Sequence, residues 1–256
     1  LRDTPDGIAL TVPSQEADTA LAGLAAYDRE SSRKTGVVDV STPRIDWTGG
    51  IVAGAALVAF FGVTVLLNGL PWVERGSAQA ARILDGELWR AVTALTLHGD
   101  VAHALSNGFA MAVFFAALSG QLGAGVAAAL TLAAGAAGNA ANAYLQGAPH
   151  NAVGASTAVF AIVGMLGTLA LMQRRRAHES RRAWVGLAAS LALLGMLGSS
   201  GARVDVGAHL LGFFAGGVWG SAVARFLPAA PESPAQWLCG LATIAVMVYC
   251  WILALS

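Results

Sequence analysis

The chain has 256 residues, of which 56% are hydrophobic and 12% charged, and its net charge is zero. Soluble domains carry about 25% charged residues, so this composition excludes an ordinary water-facing fold and points to an integral membrane protein whose surface meets lipid. The 15 basic and 15 acidic residues leave no excess charge for a polyanion, and no nucleic-acid partner is expected.

Residues 1–46 are polar and carry Asp3, Asp6, Glu16, Asp18, Asp28, Glu30, Arg33 and Lys34. They are expected to form a flexible cytoplasmic segment with one short helix around Asp18–Arg29. The first residue is Leu1, which fits processing, truncation or an alternative start. A basic stretch leading into a short apolar run, the pattern of a signal peptide, is not expected in this segment.

Seven apolar segments follow, at about residues 47–70, 101–119, 122–145, 154–172, 183–198, 206–226 and 236–255. A spanning helix needs about 20 residues, so the fifth is short, and the second carries polar groups that a bundle interior tolerates. Backbone groups in hydrocarbon need partners within their own segment, so each segment is read as a helix. The many Ala and Gly residues suit close helix contact in lipid. Between the first two segments, residues 71–100 form a long loop that mixes charges with Trp72, Leu84, Leu88 and Trp89, and loops of this length are often functional. An interfacial, partly helical loop is expected there. Cys239 and Cys250 lie in the last segment, too far apart on one helix to pair, and are read as packing residues.

Basic residues set the orientation. Arg2, Arg29, Arg33, Lys34, Arg44, Arg174, Arg175, Arg176, Arg181, Arg182 and Arg225 fall on one side of an alternating bundle, against Arg75, Arg82, Arg90 and Arg203 on the other. The expectation is a cytoplasmic N-terminus and an outer C-terminus in a bacterial inner (plasma) membrane.

Intramembrane ionisable and amide groups are costly and usually functional. His103 and Asn107 share a helix face near the start of the second segment, with His98 just before it. Ser156 opens the fourth segment, in "VGASTAVFAIVG", and His209 opens the sixth, in "VGAHLLGFFAGG"; Asn139 and Asn142 close the third. Alternation runs the second, fourth and sixth segments in the same direction, so His103, Asn107, Ser156 and His209 are expected at one depth near the outer side. A serine needs a base to become a nucleophile, a histidine supplies one near neutral pH, and an acyl-transfer oxyanion needs donors. Each residue alone also fits a packing, capping or structural hydrogen-bonding role. A metal is not expected, because HxxH and HExxH spacings are missing and no carboxylate is expected at that depth.

These residues sit in four blocks: "GELWRAVTALTLHGD" with Glu87, Trp89 and Arg90; "HGDVAHALSN" with His98, His103 and Asn107; "GAST" with Ser156; and "GAHLLGFFAG" with Ala208, His209, Gly212 and Gly216. In this order, over about residues 47–226, the chain resembles the rhomboid family of intramembrane serine proteases. The resemblance implies an all-α membrane protein, a six-helix bundle plus one additional C-terminal transmembrane helix. The implied organisation is an N-terminal segment 1–46, a catalytic core 47–226 and a seventh helix 236–256. It implies Ser156 as nucleophile and His209 as general base, with His103, Asn107 and the Ser156 backbone N–H as the oxyanion hole. Gly154, Gly212 and Gly216 are expected to provide close helix packing at the site, and Glu87, Trp89 and Arg90 to be structural parts of the loop. Thr157 departs from the family pattern, which has Gly there. If it faces the sixth segment, its side chain crowds that contact.

The expected activity is serine endopeptidase cleavage, without cofactor or metal, of a peptide bond in or beside the transmembrane segment of a membrane-protein substrate that enters from the bilayer. The fifth segment, short and glycine-rich near residues 195–203, is the expected gate. The alternatives are a catalytically weak or inactive rhomboid-like protein that binds membrane clients, and a small transporter with a histidine relay.

Overall fold

The computed structural model describes residues 2–4, 7–9, 12–34, 44–176, 180–197, 205–227 and 230–256. The chain divides into two compact units, residues 1–41 and 42–256. The first holds two short antiparallel strands, β1 (Arg2–Thr4) and β2 (Gly7–Ala9), and helix α1 (Ala17–Lys34). This helix outruns the Asp18–Arg29 stretch expected from the sequence. Its alanine-rich first half favours helix strongly.

The second unit opens with α2 (Trp47–Leu66), whose first turn is capped by Asp46, with its Oδ1 accepting from Gly49 N at 2.9 Å. The 71–100 loop follows and is ordered as three one-turn helices, α3 (Trp72–Gly76), α4 (Ala80–Leu84) and α5 (Trp89–Thr93), with a two-residue strand β3 (Ala78–Gln79). The long helices α6 (Val101–Leu122) and α7 (Ala124–Gln146) are joined by Gly123, whose φ of 81° suits a residue without a Cβ. After strand β4 (Asn151–Ala152) come α8 (Ser156–Arg176), α9 (Ser180–Leu197), α10 (Val206–Phe226) and α11 (Ser233–Leu255).

Among the described residues, six helices are long and apolar enough to cross a membrane: α2, α6, α7, α8, α10 and α11. The fifth expected segment, α9, forms a helix but is not one of the six; among the described residues it contributes a shorter apolar stretch, Trp184–Leu193. The glycine-rich end of the expected gate, residues 198–203, lies outside the described residues.

Close packing of small residues orders the bundle. A Cβ on Gly50 would run into the Ala112 carbonyl of α6, and one on Gly54 into the Gly108 carbonyl, so α2 and α6 lie antiparallel in near-backbone contact. Helices α8 and α10 meet in parallel register. Gly212 abuts the Thr157 carbonyl, Gly216 the Ala161 carbonyl and Gly220 the Met165 backbone, while Gly164 abuts the Phe213 carbonyl. The core beneath the site holds Leu118, Ile162, Met165 and Ala161, all fully buried.

Two long-range contacts fasten the last helix. Gln236 of α11 spans the α6–α7 turn: its Nε2 donates to Leu122 O at 2.8 Å and its Oε1 accepts from Val126 N at 3.0 Å. At the other end of α11, Trp251 Nε1 donates to Thr96 Oγ1 at 3.2 Å, and its ring packs with Trp72 and Phe60 and covers Gly76.

Candidate active site

The site lies where the first turns of α6, α8 and α10 come together. Each begins for a local reason. Asp100 caps α6 by accepting from His103 N at 2.8 Å, and Asp205 caps α10 by accepting from Ala208 N at 3.0 Å. Helix α8 starts at Ser156, immediately after a strap that is pinned twice. β4 pairs antiparallel with β3, setting Ala152 opposite Ala78, and Gly154 N donates to Ala94 O at 2.9 Å.

Gly154 is the meeting point. Its φ is +133°, a conformation that favours glycine. A Cβ there would lie 2.8 Å from His103 Nε2 and 3.5 Å from Asn107 Nδ2. The imidazole and the amide from α6 therefore converge on the backbone two residues before Ser156. Asn107 is buried, and among the described residues its Nδ2 has no hydrogen-bond partner. Ser156 itself is the first residue of α8, where the amide N–H has no partner within the helix.

His209 reaches the same region from α10. Its buried ring packs on Phe160, with centroids 4.6 Å apart, and Phe160 stands one turn below Ser156 on the same face of α8. Gly212, three residues on, lets α10 close against Thr157. Among the described residues Ser156 Oγ makes no hydrogen bond, so it is the helix seam that sets it and His209 on facing surfaces.

Thr157 does face α10, as the sequence allowed, and it also faces α7. Its methyl would lie 2.8 Å from a Cβ on Gly138 and 3.0 Å from one on Gly212. Two glycines on different helices make the space that the threonine fills, and it is 3% exposed.

Beside Ser156 is a cavity of about 10 Å³, room for about one water molecule, lined among others by Asn139, Val153, Gly154, Thr157 and Asp205. Asp205 corrects the expectation that no carboxylate reaches this depth. It sits at the very start of α10, and its side chain opens on the Ser156 cavity. Asn142 Nδ2 donates to Asp205 Oδ2 at 2.8 Å, and His150 Nε2 lies 2.8 Å from the same oxygen. The legible signal was an Asp four residues before His209, just ahead of an apolar run, which is an N-cap pattern. Among the described residues no three His, Cys, Asp or Glu side chains form a metal-binding group.

The loop residues expected to be structural form a network away from Ser156. Arg90 is buried and donates from Nε to Glu87, and from Nη1 to the carbonyls of Glu74 at 2.9 Å and Ser77 at 3.2 Å. Burial raises the Glu87 carboxyl, but the Arg90 and Arg82 guanidiniums outweigh it and hold the group below the usual carboxylate value. Asn139 of α7 donates to Ala91 O at 3.0 Å and so anchors α5 to the bundle. His98 packs edge-on against His103 at 5.1 Å. Burial, with a smaller contribution from His103, lowers its pKa to about 4, although the nearby Thr96 backbone opposes the fall.

The rhomboid domain profile matches residues 85–226, more than half of the chain. The chain belongs to the rhomboid family, and α11 is a membrane-length helix added after the domain. A comparison with curated proteins returns no significant match.

Proposed function

We propose that the protein is an intramembrane serine endopeptidase that cuts a peptide bond in or beside the transmembrane segment of another membrane protein. The family typically has this activity, and the observation that carries the reading is the convergence on Gly154. There His103 Nε2 and Asn107 Nδ2, which has no hydrogen-bond partner among the described residues, crowd the backbone two residues before Ser156, while His209 faces α8 one turn away.

In this reading Ser156 Oγ attacks the scissile carbonyl, and His209 takes the hydroxyl proton and returns it to the leaving amine. The negative charge on the carbonyl oxygen is met by Asn107 Nδ2, by His103 and by the Ser156 N–H at the positive end of α8. Water then hydrolyses the acyl-enzyme through the same base. The substrate is a transmembrane helix that enters from the bilayer and unwinds near the outer surface. Unwinding costs least where the substrate helix is already weak, because freed backbone groups lose their partners in lipid. A client-binding protein without turnover is the alternative, and Thr157 was its support; the space provided by Gly138 and Gly212 weakens it.

The test is cleavage of a transmembrane model substrate in proteoliposomes. Wild type is expected to cut, and Ser156→Ala and His209→Ala are expected to fold and not cut. Cleavage that survives Ser156→Ala removes Ser156 as the nucleophile.

A further inference from the structure

Asp205 does more than cap α10. Its Oδ1 accepts from Ala208 N at 3.0 Å, which is the capping bond. Its Oδ2 is engaged elsewhere, 2.8 Å from Asn142 Nδ2 of α7 and 2.8 Å from His150 Nε2. Asn142 Nδ2 and His150 Nε2 are themselves 3.0 Å apart, so the three side chains form one closed cluster, drawn from positions 142, 150 and 205. The cluster joins the two limbs of the site. His150 belongs to the strap that runs through β4 and Gly154 to Ser156, and its carbonyl is held by Ala80 N at 2.9 Å. Asp205 stands one helical turn before His209. Asp205 also lines the cavity beside Ser156.

We propose that His150 and Asp205 are positioning residues for the Ser156 site, holding the nucleophile-bearing strap and the His209-bearing helix start at a fixed separation through a hydrogen-bonded pair braced by Asn142. The inference rests on the protease reading above. The Ser156 and His209 limbs are separate stretches of chain, so their separation depends on contacts such as this one, which ties one limb to the other. A shift of about 1 Å between reacting groups costs up to about 100-fold in rate. The pair therefore acts on the rate of the chemical step, whereas a role confined to capping acts on how much protein is folded.

Asparagine caps a helix as well as aspartate does, so Asp205→Asn keeps the capping bond and alters only the contact to His150 and Asn142. The experiment measures fluorophosphonate labelling of Ser156 in proteoliposomes, a reaction in which Oγ bonds to phosphorus and fluoride leaves. It records the rate constant and the final labelled fraction separately for wild type, Ser156→Ala, Asp205→Asn, His150→Ala, His150→Gln and the double variant His150→Ala/Asp205→Asn. Asp205→Asn and His150→Ala are each expected to lower the rate constant about 10-fold with an unchanged labelled fraction. The double variant is expected to be no slower than the slower single one, because both lose the same contact. His150→Gln, which keeps a donor near the Nε2 position, is expected to recover most of the rate. Single variants that label at the wild-type rate overturn the proposal. So do a loss confined to the labelled fraction, a double variant as slow as the product of the singles, or a His150→Gln as slow as His150→Ala. A wild type that does not label, or labelling that persists in Ser156→Ala, instead brings down the protease reading itself and this inference with it.

Discussion

The methyl of Thr157 occupies space that Gly138, on a different helix, leaves open: a Cβ at position 138 would lie 2.8 Å from Thr157 Cγ2. The same hypothetical Cβ would lie 2.9 Å from Gly212 Cα, so α7, α8 and α10 meet at one point with no slack. Gly138 and Gly212, on two different helices, leave the room that the Thr157 side chain fills.

Gly138→Ala is therefore expected to destabilise the protein by about 1–3 kcal/mol through overpacking, read as a fall in the thermal midpoint in detergent micelles. Thr157→Gly in the same chain is expected to restore much of the loss, because it removes the methyl that the new Cβ meets. Two variants whose effects simply add would show that the pair is not in contact.

Gly154→Ala is expected to slow Ser156 labelling by at least about 10-fold. The substitution meets two obstacles: a positive φ that side chains rarely adopt, and a Cβ 2.8 Å from His103 Nε2. Strain of about 1–3 kcal/mol is typical of such backbone. Helical content by circular dichroism is expected to stay near wild type, because Gly154 precedes α8 and belongs to no helix. An unchanged labelling rate would separate Gly154 from the function proposed for His103 and Asn107.

His98 gives a pH dependence whose sign is fixed by its burial. Its pKa falls from 6.5 to about 4 on folding, so between those values the unfolded chain binds the proton and the folded one does not. Stability is then fully present above pH 6.5 and is lost as the pH falls toward about 4, by up to about 3 kcal/mol. Thermal midpoints measured from pH 7 down to pH 4 are expected to decline over this window, and His98→Phe, which keeps the ring contact with His103, is expected to flatten that decline. An equal decline in His98→Phe would assign the acid sensitivity to other groups.

Arg90→Ala is expected to be among the most destabilising changes in the loop. It leaves the half-buried Glu87 carboxylate with only the exposed Arg82, and it strips a donor from the carbonyls of Glu74 and Ser77. A buried hydrogen-bonding group left without its partner costs about 1–3 kcal/mol, and Arg90 serves two carbonyls besides Glu87. Arg90→Lys is expected to rescue only partly, since an ammonium does not reproduce the fork that reaches the carboxylate and both carbonyls. Limited proteolysis within residues 71–100 reads this directly.

The long helices were legible because lipid leaves the backbone no other choice: α2, α6, α7, α8, α10 and α11 follow the apolar runs closely. Alternation of those runs was also enough to bring His103, Asn107, Ser156 and His209 to one end of the bundle. The shortfall of α9 was visible in its length but not in its consequence. What stayed hidden is tertiary. Residues 142, 150 and 205 carry no shared spacing, and only the packed helices bring their side chains within 3.0 Å of one another. The β3–β4 pair is two residues long on each side, too short for any periodicity to mark it. Thr157 was read against one helix, yet it meets two.

The bond from Trp251 to Thr96 closes a span of 155 residues. During synthesis the 71–100 segment leaves the ribosome long before Trp251 exists, so its cover over Gly76 and its hydrogen bond at Thr96 arrive only after all the intervening helices have been made. Contacts this distant in sequence form late, because the whole intervening chain must be ordered first. The loop that pins the Ser156 strap through Ala94 and Ala78 is thus completed by a helix made long after it. A nascent chain still lacking α11 carries Ser156, His103 and His209 while the 71–100 loop still lacks its contacts with Trp251.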